Sequence, residues 1–124
     1  MANRSNYKDL LVWQKAMEFA NAVINLAGNL ETPQKHYRLI EQLESAVTSI
    51  PMNIAEGKGR ISQKEFVHFL YIARGSLYET LTLLELFHMR QWIDAAIHQE
   101  LEARGEEIGR MLNGLVASVR PQTE

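Results

Sequence analysis

The sequence predicts an all-α protein, an antiparallel up-down-up-down four-helix bundle with its second helix kinked at Pro51. Three observations predict it. Four segments carry apolar residues at intervals of three and four, the signature of one face of an α-helix. The stretches between them are short and hold residues that stop or start helices. A chain of 124 residues, 46% hydrophobic and 23% charged, has the size and composition of one domain, 1–124, able to bury its own core.

The first helix is expected over about 9–30, after a short lead-in. Asp9 is a suitable cap, and the apolar stripe runs Trp13, Ala16, Met17, Ala20, Val23, Ile24, Ala27, Leu30. Gln14, Lys15, Glu18, Asn21 and Asn25 lie on the opposite, solvated face. Thr32-Pro33 ends the pattern, because the residue before a proline is driven out of helical conformation.

The second helix is expected over about 35–57, with Tyr37, Ile40, Leu43, Val47, Ile50 and Ile54 in one stripe. Pro51 removes one backbone donor, and its ring crowds the carbonyl of Val47, so a bend is expected there. The stripe keeps its phase beyond Pro51, which favours one kinked helix over two shorter ones. Gly57 is expected at a left-handed exit position. Gly57-Lys58-Gly59-Arg60 then forms a tight basic turn with both glycines at positive φ.

Ser62-x-x-Glu65 has the spacing of a capping box and opens a third helix over 62–89. Its stripe is Phe66, Phe69, Leu70, Ala73, Leu77, Leu81, Leu84 and Phe87, widened by Ile72, Leu83 and Leu86. So broad a belt predicts the central helix, in contact with several neighbours within the bundle or across subunits. Gly75 at its middle costs about 1 kcal/mol against alanine, which is tolerated where another helix must approach closely. Residues 88–92 form the next turn, and Asp94 caps a fourth helix over 94–119. Its stripe is Ile97, Leu101, Ile108, Met111, Leu112, Leu115 and Val119, and Pro121 ends it. Gly105 and Gly109 share one face, as close helix contact or as looseness.

The chain has no cysteine, which excludes disulfides, zinc–thiolate sites and thiol nucleophiles and fits a reducing, cytoplasmic setting. The opening residues lack the apolar run of a signal peptide. No uncharged apolar run approaches the roughly 20 residues of a membrane span. A net charge of −2 supplies no global basic field for nucleic acid, so any such binding needs a local patch.

Glu-x-x-His, the ligand pattern of di-iron bundles, occurs at Glu65/His68 and Glu85/His88. Both copies fall on the third helix twenty positions apart, about 30 Å at 1.5 Å per residue, so they cannot share a di-metal site. No metal, cofactor or small-molecule substrate is expected. No Ser, His and Asp set and no Gly-x-Ser-x-Gly elbow occurs, so no catalytic residue is assigned. The glycine-flanked turn lacks the Gly-Lys-Ser/Thr ending of a phosphate loop. Arg74 and Glu79 suggest an internal ion-pair network. Lys58, Arg60 and Lys64, with no acid among them, are the candidate nucleic-acid-binding patch, weighed against a merely solvated turn. Trp13 and Trp92 read as core or subunit anchors rather than base-stacking platforms.

One ordered set of residues carries a resemblance. Asp9-Leu10-Leu11-Val12-Trp13-Gln14-Lys15-Ala16 is followed by Gln42-Leu43, then by Ser49-Ile50-Pro51-x-Asn53-Ile54-Ala55-Glu56-Gly57-x-Gly59-Arg60. Glu65-Phe66 and Phe69-Leu70-x-x-Ala73-x-Gly75-Ser76-Leu77-x-Glu79 complete it. Over about residues 7–118 this resembles the bacterial four-helix-bundle family of proteins encoded in 23S rRNA intervening sequences. That family includes the accessory variability protein of diversity-generating retroelements. The resemblance implies barrel-like homopentamers and, for the retroelement relative, binding to a reverse transcriptase and nucleic acid. The motif positions Pro51, Asn53, Glu56, Gly57, Gly59, Arg60, Gly75 and Glu79 suit turns, close contacts and polar pairing, so the motif reads as structural. The nucleic-acid-binding relatives are strongly basic, whereas this chain is net acidic and carries Glu41 and Glu44 in its second helix. The expectation is therefore a non-enzymatic, pentameric scaffold or adaptor, with an RNA-binding accessory factor as the alternative.

Overall fold

The computed structural model describes residues 6–32 and 36–120. A 3-10 turn at Tyr7–Asp9 leads into four α-helices: α1 (Leu11–Gly28), α2 (Tyr37–Lys58), α3 (Gln63–Met89) and α4 (Ala95–Val119). No strand occurs among the described residues. The expected stops at Pro33 and Pro121, and the expected start of the second helix at 35, lie outside them.

Asp9 does not cap α1. It closes a capping box on the 3-10 turn, where Asn6 Oδ1 accepts from the Lys8 amide at 2.7 Å and Asp9 Oδ2 accepts from the Asn6 amide at 3.1 Å. With that carboxylate turned back, α1 starts at Leu11 with no side-chain cap. Ser62 caps α3, accepting from the Glu65 amide at 3.0 Å, but the Glu65 side chain does not return the bond, so only half of the expected box forms. Asp94 caps α4, accepting from the Ile97 amide at 2.9 Å.

The helices pack in cyclic order, α1 on α2, α2 on α3, α3 on α4 and α4 on α1, most extensively between α2 and α3. The diagonal pairs do not approach one another, a packing compatible with a four-helix bundle. α3 is therefore not central: it packs on α2 and α4, two neighbours as for each of the other helices, and of its expected belt only Ile72 and Leu86 are exposed. The core is built from Phe19, Leu43, Ile50, Ile54, Leu70, Leu77, Leu84, Phe87, Ile108 and Leu112, all fully buried. On α1 the buried face is Val12, Ala16, Phe19, Ala20, Val23 and Ala27, while Met17 and Ile24 are exposed. The alanines keep that face flat and Phe19 fills the space between its neighbours, so the inward face is rotated from the expected stripe.

α2 runs unbroken through the buried Pro51, so two shorter helices are not formed. It ends at Lys58, with Gly59 as a right-handed cap at φ −79° and ψ −5°. No glycine among the described residues has positive φ, which corrects the expected left-handed exit at Gly57 and the positive-φ turn. The sole positive-φ residue there is Gln91, at 63°, in the turn from α3 to α4.

Candidate functional site

The turn from α2 to α3 is fixed by what lies beneath it. A Cβ on Gly57 would stand 2.6 Å from Phe69 Cβ and 3.0 Å from Phe66 Cδ1. The α2 backbone therefore lies directly on two aromatic residues of α3, and a glycine is required for closeness rather than for conformation. The same two rings receive the basic residues. Arg60 lies 4.8 Å from the Phe69 ring centroid and pairs with Glu56 one turn back. Lys58 lies 5.8 Å from the Phe66 ring. Lys64 is exposed in the first turn of α3 and forms no ion pair among the described residues. Of the three expected cations, one is thus neutralised by a carboxylate that sequence proximity did not count against it.

The other motif residues take structural places. Asn53 Nδ2 donates to the Ser49 carbonyl at 2.8 Å and to Ser49 Oγ at 2.9 Å, and Ser49 Oγ lies 2.8 Å from Ser76 Oγ. This half-buried polar chain links α2 to α3. Glu79 accepts from Gln42 Nε2 at 3.3 Å across the same pair of helices. Arg74 and Glu79 do not form the expected ion pair, because they project from different sides of α3: Arg74 donates to Asn113 Oδ1 on α4 at 2.9 Å. Gly75 meets nothing within 4 Å, so no helix of this chain explains it. Gly105 and Gly109 do make close contacts, with Leu81 Cδ2 2.6 Å and Leu77 Cδ2 3.4 Å from where their Cβ atoms would be. Trp13 and Trp92 both pack against the core, Trp92 with its ring 4.9 Å from that of Phe87.

A second basic and aromatic group was missed. The Arg74 guanidinium lies 4.9 Å from the Tyr71 ring and 6.0 Å from that of Tyr78, and Arg120 donates to the Tyr71 hydroxyl at 3.0 Å. Tyr78, Asn113 and Arg110 also line an open groove of about 430 Å³ between α3 and α4. The signal was legible: Tyr71, Arg74 and Tyr78 are three and four apart, an aromatic–cation–aromatic stripe on one helix face.

The family model described as 23S rRNA-intervening sequence protein matches residues 8–114. A solved structure similar to this chain is a protein of unknown function from the S23 ribosomal protein family of Bacteroides thetaiotaomicron. It is 29% identical with a TM-score of 0.80, over 86% of this chain and 98% of its own. No curated protein matches. Neither similarity indicates an enzymatic family. No helix among the described residues is long and apolar enough to cross a membrane.

Proposed function

We propose, from the premise that this chain belongs to the 23S rRNA-intervening sequence protein family, that it is a non-enzymatic scaffold or adaptor working as a cytoplasmic homo-oligomer, five copies to a ring. The observation that carries this is the outer face of α3. Ile72 is 38% exposed, Leu86 36% and Met89 70%, and Gly75 sits on the same face with open space above it. A glycine at mid-helix is a local loss in the single chain; a second copy packing there turns it into a close-approach site. Antiparallel packing belongs to the same reading. It is supported by residues 85, 81, 77 and 74 of α3 meeting 98, 105, 109 and 113 of α4, and Tyr71 meeting Arg120 just beyond α4, in opposite order along the chain. The missing amide at Pro51 supports a bend in α2. Sedimentation at micromolar concentration tests the assembly: a five-fold mass is expected, and a monomer overturns it.

A second reading, an RNA-binding accessory factor, is favoured by the Tyr71–Arg74–Tyr78 face more than by the turn at Lys58, Arg60 and Lys64. Exposed tyrosines around a guanidinium suit unpaired bases, which stack at about 1–3 kcal/mol each. Affinity for single-stranded RNA is expected to fall with salt, and Arg74→Ala with Tyr78→Ala to weaken it more than alanines at 58, 60 and 64. Salt-independent binding, or none, removes this reading.

A further inference from the structure

Away from both surfaces, Glu85 on α3 and His98 and Glu102 on α4 bring one imidazole nitrogen and two carboxylate oxygens within 4.8 Å of one another. His98 is only 8% exposed, and its Nε2 stands 3.2 Å from Glu85 Oε1. His98 and Glu102 are one helical turn apart, so both meet α3 on the same side of α4. The His98 ring is held in place by His88, stacked on it at 4.6 Å between centroids and 9° between planes. His88 Nδ1 in turn lies 3.5 Å from the Ile93 carbonyl. The donors therefore stand on two packed helices, with His98 the buried one among them.

A single carboxylate would satisfy His98 as a hydrogen-bond partner; a second beside it does something more. Among the described residues no lysine or arginine pairs with Glu85 or Glu102, so two carboxylates converge with only an imidazole between them. A divalent cation removes that imbalance. One nitrogen and two carboxylate oxygens suit a first-row transition ion, whereas magnesium and calcium favour oxygen alone. Three protein ligands also leave a fourth tetrahedral position for water, as zinc takes it. With bonds of about 2.0–2.2 Å, two ligands of a tetrahedral ion lie roughly 3.4 Å apart. His98 and Glu85 already have nearly that separation, and a Glu102 carboxylate oxygen stands within 4.8 Å of both. We propose that Glu85, His98 and Glu102 form a binding site for a divalent transition-metal ion, zinc above all, that ties α3 to α4 beside their connecting turn. This does not depend on the assembly reading.

The test uses untagged protein stripped with EDTA, cobalt(II) as the spectroscopic probe and zinc as competitor. One cobalt per chain, with visible bands that zinc abolishes, is expected, together with a zinc-dependent rise in the unfolding midpoint. Glu102→Gln and His98→Ala should each weaken binding at least about tenfold, since even losses outside the ligand set cost about that much. His68→Ala, in the exposed Glu65-x-x-His68 pair, should leave it unchanged. Glu102→Gln preserves size on a partly exposed residue, so it decides the matter even if His98→Ala does not fold. Absence of stoichiometric cobalt, undiminished binding by Glu102→Gln, or loss of binding in His68→Ala overturns the proposal.

Discussion

Three glycines show how differently one residue type acts in this chain. At Gly57 an added Cβ meets the Cβ of Phe69 at 2.6 Å, an atom fixed to the α3 backbone, so relief requires the helices to part. At Gly105 the opposing atom, also at 2.6 Å, is a terminal methyl of Leu81, which rotates away at small cost. At Gly59 nothing lies nearer than 3.6 Å and φ is −79°. Gly57→Ala is therefore expected to destabilise by about 1–3 kcal/mol, the range for overpacking, and Gly105→Ala by less. Gly59→Ala should stabilise by about 0.4–1 kcal/mol through the unfolded chain. Urea unfolding of the three variants checks the order, and a Gly57→Ala as mild as Gly59→Ala would mean that α2 and α3 are not so close.

At the scale of the element, starts are better defined than stops. Ser62 and Asp94 each satisfy an amide in the first turn of a long, packed helix. Ser62→Ala and Asp94→Ala should each lower stability by about 1 kcal/mol, while Asn6→Ala, capping only a 3-10 turn, should lower it less. Thermal unfolding of the three separates these outcomes. The starts were legible because a cap is a short-range device between residues three apart. The start of α1 was misread for the same reason: Asp9 has the right chemistry, but Asn6 upstream takes it as a partner. Pro51 marks the opposite limit. Its sequence signals a bend or a break, yet α2 runs on unbroken with Pro51 buried in the fold.

For the whole molecule the decisive question is what covers the outer face of α3. If a second copy does, Gly75→Ala is expected to act in two directions. It should stabilise the isolated helix by up to about 1 kcal/mol, yet weaken assembly by placing a methyl group in the contact. Ile72→Lys, on the same face, should shift the protein toward monomer without loss of helix content. Sedimentation and circular dichroism read both, and a Gly75→Ala protein that is more stable with unchanged mass would leave that face solvated. Charge works at this scale as well. A net charge of −2 says little about any one surface, since Arg74, Arg110 and Arg120 gather along α3 and α4 while Glu56 offsets Arg60.

The sequence by itself determined the helices, most of their buried residues and the caps on α3 and α4, because periodicity and capping are local. Family membership was also legible, since Gln42, Ser49, Asn53, Ser76 and Glu79 keep their order whatever they touch. Only tertiary structure decided which residues meet. It showed Gly57 to be a contact with Phe69, paired Arg74 with Asn113 instead of Glu79, and moved the interest in Glu-x-x-His from one helix to the junction of two. The physical reason is the same in each case: a helical period fixes which side chains share a face, while rotation and register between helices, set by packing the whole core, fix what that face meets.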